Sequence, residues 1–71
     1  MNAEKKWYHA LMEDVYSGEQ YILGVQAYNE DHANKMVFYE KLEKFGDAAM
    51  FLIFKDWLTN AEAEASGLDE F

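Results

Sequence analysis

The sequence predicts a small α+β domain in the order ββαβα: a β-hairpin, a helix, a strand and a short C-terminal helix. Three observations carry this prediction. Aromatic and branched residues alternate on either side of Ser17-Gly18-Glu19, as two strands joined by a tight turn require. Asn29, followed by Glu30 and Asp31, has the form of a helix cap and an acidic first turn, and Gly46 offers a C-terminal stop. Thr59-Asn60-Ala61-Glu62 is a capping-box pattern that opens a second helix.

Taken in order, Lys6 to Tyr16 reads as the first strand and Gln20 to Tyr28 as the second. The second strand sets Tyr21, Leu23, Val25 and Ala27 on one face and Ile22, Gly24, Gln26 and Tyr28 on the other. The helix runs to Phe45, with Lys41 and Lys44 near its negative end and Phe38, Leu42 and Phe45 as an apolar ridge. Met36, Val37 and Tyr39 lie off that ridge, so the helix is not cleanly amphipathic.

Ala48 to Leu58 reads two ways. As a strand it is apolar on both faces through Phe54, which suits a covered strand. As a helix it starts at Asp47 and stripes Met50, Ile53, Phe54, Trp57 and Ala61. A helix already running from Asp47 would make the cap at Thr59 redundant, which favours the strand. The alternatives are ββαα and an all-α bundle, since Trp7, Leu11 and Val15 also recur at helical spacing. The last helix stops at Gly67, leaving Leu68 and Phe71 to tuck back.

Seventy-one residues make one domain, 1–71, and a core of that size is marginal. With no cysteine, disulfides and thiolate metal sites are excluded, so aromatic burial or self-association must compensate. No apolar run approaches a membrane span, and Met-Asn-Ala-Glu-Lys-Lys leads into Trp7, Tyr8 and His9, not into a signal core. The expected location is the cytoplasm of a host cell.

The formal net charge is −8, and all six basic residues are lysine. Trp7 to Asn34 and Asp56 to Phe71 contain no lysine, yet hold Glu13, Asp14, Glu19, Glu30, Asp31 and Glu62, Glu64, Asp69, Glu70. Such a field repels nucleic acid and anionic membrane and attracts a basic protein surface.

No catalytic, cofactor or metal motif is present. His9 and His32 are the only nitrogen ligands, and neither has carboxylates at metal-ligand spacing, so both read as exposed histidines. Ser17 and Ser66 lack a nucleophile elbow, Glu13 and Asp14 point to opposite faces of a strand, and no Gly-rich phosphate loop occurs. With the helix over Trp7, Leu11, Leu23 and Val25, the far face shows Tyr8, Met12, Tyr16, Ile22 and Tyr28. That face is either covered by a later element or used for a partner or second copy. Its acidic flanks disfavour RNA stacking.

The expectation is therefore a small non-enzymatic modulator or inhibitor of the kind phages encode. It would bind a host nucleic-acid-processing or defence protein through Glu13, Asp14, Glu19, Glu30, Asp31, Glu62, Glu64, Asp69 and Glu70, which mimic a phosphate row, with Tyr8, Tyr16 and Tyr28 as anchors. The first five are expected to cluster around the hairpin end and the helix start. The alternative is an assembly module or homodimer held by the aromatic sheet face. The strand–strand–helix–strand order resembles that of the small RNA-polymerase inhibitors of T7-type phages. The resemblance is architectural, spans about two thirds of the chain and carries no functional residue.

Overall fold

Asp14 builds the turn that starts the fold. Its Oδ1 accepts from the Tyr16 N–H at 2.8 Å and the Ser17 N–H at 3.1 Å, while its carbonyl accepts from Gly18 N–H at 2.9 Å. Gly18 has φ 75°, a left-handed value that glycine adopts without strain. A computed structural model describes residues 4–71, and in it strands β1 (Lys6–Asp14) and β2 (Gln20–Ala27) flank this turn as an antiparallel pair. β1 ends two residues earlier than predicted, because the Asp14 carboxylate claims the amides of Tyr16 and Ser17, and β2 ends one residue earlier, at Ala27, where its pairing with Lys6 stops.

Helix α1 (Glu30–Phe45) follows, with the Asn29 side chain accepting from His32 N–H at 2.8 Å and Gly46 at its end. A 3-10 turn, Gly46–Phe51, then leads into β3 (Leu52–Leu58). The ambiguous segment is thus a strand over most of its length. Its first four residues instead belong to the 3-10 turn, whose fully buried Ala49 seats against α1. β3 pairs antiparallel with β1 and the sheet order is β2-β1-β3. Leu11 faces Asp56 while Met12 faces Phe54, so Lys55 is the extra residue of a β-bulge. Helix α2 (Asn60–Ser66) starts at the predicted capping box: Glu62 N–H donates to Thr59 Oγ1 at 3.1 Å and Thr59 N–H to Glu62 Oε1 at 3.0 Å. The architecture is α+β with the ββαβα order.

The register sets the faces. Tyr8 lies opposite Val25, Ala10 opposite Leu23 and Met12 opposite Tyr21, so Tyr8, Ala10 and Met12 share the α1 face with Leu23 and Val25. Trp7 and Leu11 point the other way, which corrects the predicted face of β1 by one residue, while that of β2 stands as predicted. The core lies between sheet and α1: Ala10, Met12, Leu23, Val25, Ala27, Ala33, Val37 and Leu52, rimmed by Tyr8, Tyr21, Met36, Phe45 and Trp57. Ala10, Ala27 and Ala33 are fully buried, so the helix approaches on small side chains and has no room for a large ring at its centre. This turns the predicted helix ridge: Val37 is buried, while Phe38 and Leu42 face outward and only Phe45 tucks in.

The opposite face is covered by α2 and the chain after it, where Ile22 and Ala63 are buried and Leu11 and Leu68 half-buried. The last three residues run parallel to β2. Ile22 N–H donates to the Asp69 carbonyl at 2.8 Å, Phe71 N–H to the Ile22 carbonyl at 2.8 Å and Gly24 N–H to the Phe71 carbonyl at 2.9 Å. The outer edge of β2 is thus occupied at Ile22 to Gly24 by the chain's own tail. No helix among the described residues is long and apolar enough to cross a membrane.

Candidate functional site

The carboxylates named from sequence fall into separate places. The hairpin turn and the start of α1 are at opposite ends of β2, roughly 25 Å apart for an eight-residue strand. Glu30 and Asp31 therefore do not cluster with the hairpin acids. They stand exposed in the first turn of α1, where the helix dipole stabilises them.

At the hairpin end, Asp14, Glu19 and Asp69 gather around Tyr21. The Tyr21 hydroxyl donates to Glu19 Oε2, and this bond holds the phenol above its ordinary value. Burial and the charges of Glu19, Asp14 and Asp69 push it the same way. The tail thus carries Asp69, expected in a second patch with Glu62, Glu64 and Glu70, into the hairpin corner of Asp14 and Glu19. Asp14 itself is held below the usual carboxylate value by the Ser17 amide and then by the Tyr16 amide.

Other acids have structural partners. Glu13 lies 4.0 Å from Lys55 and accepts from Gln20 Nε2 at 3.2 Å. Glu62 closes the capping box. Glu64 is exposed on α2, beside a second cluster that sequence reasoning missed: His9, Asn60 and Glu70. His9 Nδ1 meets Glu70 Oε1 at 2.5 Å and His9 Nε2 meets Asn60 Oδ1 at 2.6 Å. The ring satisfies both oxygens when it carries both protons. With one, the Asn60 amide must turn end for end so that its nitrogen donates.

The His9 side chain is 12% exposed, so it is not the exposed strand histidine expected. His32 is half-buried, accepts from Tyr28 N–H at 3.1 Å and stacks on the Tyr28 ring at 5.2 Å. No group of three or more metal-ligating side chains occurs among the described residues.

The one sequence signal for the His9 cluster is Gly24 in mid-strand, which marks a close approach. A Cβ there would lie 2.7 Å from Glu70 Oε1 and 3.5 Å from the Trp7 ring. The bare backbone is what lets Glu70 reach His9. Above it opens a cleft of about 420 Å³, walled by Trp7, Glu70 and Phe71.

The three tyrosines do not form one surface. Tyr8 is half-buried against Trp57 at 5.6 Å, Tyr16 packs edge-on to Phe51 at 4.8 Å by the hairpin, and Tyr28 sits at the far end of β2 with Lys5 Nζ 5.4 Å over its ring. Tyr16 and Tyr28 are exposed but far apart, and a separate open apolar group, Phe38 and Leu42 on α1 with Met50, which is 74% exposed, lines a groove of about 270 Å³.

Comparison with family models, with curated proteins and with solved structures gave no match for this chain.

Proposed function

We propose that this chain is a small protein-binding modulator or inhibitor. It docks through its free carboxylates onto the basic surface of a nucleic-acid-processing or defence protein in the cytoplasm of a host cell, as a phage-encoded protein would. The supporting observation is the poverty of internal neutralisation. Among the described residues, ion pairs are limited to His9–Glu70, Lys44–Glu40 and Lys55–Glu13, against a formal charge of −8. Carboxylates left to solvent on a thin body are positioned for a cationic surface, where releasing the counterions of both partners favours association. The corner of Glu19 and Asp69 is the strongest candidate contact, because both are exposed and stand with Asp14 around Tyr21 at the hairpin end.

The test is capture on the immobilised chain from a host lysate, eluted stepwise with salt. A basic nucleic-acid-binding protein shed as salt rises, displaced by duplex DNA and weakened by Glu19→Gln with Asp69→Asn, supports the reading. A partner that resists both salt and DNA refutes it.

The groove of Phe38, Leu42 and Met50 favours a second reading, an assembly module or homodimer joined through apolar contact. A mass by light scattering that doubles at high concentration, and returns to the monomer in Met50→Lys, would select it.

A further inference from the structure

We infer that the cleft over Gly24 is a receptor for a primary ammonium, the end of a lysine side chain presented by the basic partner. The inference rests on the reading above and narrows it to one pocket. Three features define the occupant. Trp7 is 59% exposed, its ring borders the bare Gly24 backbone and lines the cleft, and an indole is the side chain that attracts cations best. Glu70 lays its carboxylate over Gly24; Oε1 is paired with His9, while Oε2 is engaged by no hydrogen bond among the described residues and is the oxygen left to meet a cation. Phe71 closes the end and supplies an apolar wall for the methylene stem.

An anion is disfavoured by Glu70, and a neutral ring would leave that carboxylate desolvated against it. The guanidinium of arginine shares the charge, but its fork calls for two carboxylate oxygens and Glu70 has one of them held by His9, which leaves a single acceptor that suits the ammonium better. Lys44 also reaches the rim of the cleft, where it competes for the same charge, although its Nζ is drawn toward Glu40 at 3.7 Å.

The probe is Nα-acetyl-lysine amide, with its Nε-acetylated analogue as the uncharged control of equal length. The readout is the indole N–H resonance of Trp7 in the intact chain, with that of Trp57 as internal reference. The expected result is a saturable shift of Trp7 alone, of millimolar strength, absent with the acetylated control. Glu70→Gln, which keeps an acceptor for His9 but removes the charge, should weaken binding about fivefold. Lys44→Gln removes the competing cation without touching the packed interior and should tighten it. A still Trp7 signal, an equal response to the acetylated probe, or indifference to both substitutions overturns the inference. If the salt-sensitive basic partner is still captured while Trp7 stays silent, the pocket assignment fails and the docking function stands.

Discussion

Gly24→Ala is the sharpest perturbation of this fold, because its cost is set by one distance. The new Cβ would sit 2.7 Å from Glu70 Oε1, closer than real Cβ contacts come, so the carboxylate, the far end of a flexible side chain, must shift, and the expected outcome is loss of its bond to His9. Losing that partly exposed, charge-assisted hydrogen bond costs about 1 kcal/mol. The tail loses its latch as well. Phe71, 43% exposed, rests its ring on Tyr21 at 5.6 Å and Phe45 at 5.4 Å. Loosening it forfeits about 1 kcal/mol of apolar burial. Against this, replacing glycine by alanine in a strand stabilises by about 0.5 kcal/mol through the unfolded chain. The balance is a loss of about 1–1.5 kcal/mol, which for a domain of this size lowers Tm by roughly 5–10 °C. The assay is thermal unfolding of a double-mutant cycle with Glu70→Ala. Either single substitution should show the loss. The double should be no worse than Glu70→Ala alone, since the clash has nothing left to strike and the Trp7 ring at 3.5 Å is an ordinary contact. Additive losses would refute the reasoning, because Gly24 would then matter for something other than the approach of Glu70.

Two further outcomes follow from local geometry. Thr59→Ala removes the acceptor for Glu62 N–H and half of the capping box, costing about 1 kcal/mol, seen as a Tm drop of about 4–8 °C and faster amide exchange at Ala63. An unchanged Tm would mean that α2 is held by its packing alone. Asp14 gives a pH signature: its carboxyl is depressed in the folded chain, so its stabilisation is complete above the ordinary value of 3.8 and is lost as pH falls through the lower folded value. Asp14→Asn should therefore be less stable than the parent at neutral pH, with the gap closing in acid. A gap independent of pH in denaturant melts would remove the carboxylate charge from the account.

The elements that were legible in the sequence are those whose signals are local. Asn29, Thr59 with Glu62, Gly18, Gly46 and Gly67 each act within a few residues, and each stands where the pattern put it. The sheet face was misread because β1 is apolar on both sides, so alternation alone could not choose between Trp7 with Leu11 and Tyr8 with Met12. Small residues made the choice: Ala10 lets α1 come close, and no hydrophobicity pattern weights an alanine so heavily. The acidic corner and the His9 cluster were out of reach for a different reason. They join residues from the two ends of the chain, His9 with Asn60 and Glu70, and Tyr21 with Asp69, through a tail whose pairing with β2 has no local signature. Gly24 was visible in the sequence as a gap in a strand, but what fills the gap was not.

The free side of β3 has a consequence for how the chain behaves when crowded. An unpaired strand is a template on which other chains can stack into fibrils. Here the template is spoiled twice. The bulge at Lys55 breaks its straight run and plants a charge in it, and the Trp57 N–H is spent on the Asp56 carboxylate at 2.8 Å. On the opposite side of the sheet the tail takes the middle of the β2 edge, Ile22 to Gly24. With Phe54 and Ile53 open to water, the bulge and the spent amide are the features that oppose edge-to-edge stacking of this strand.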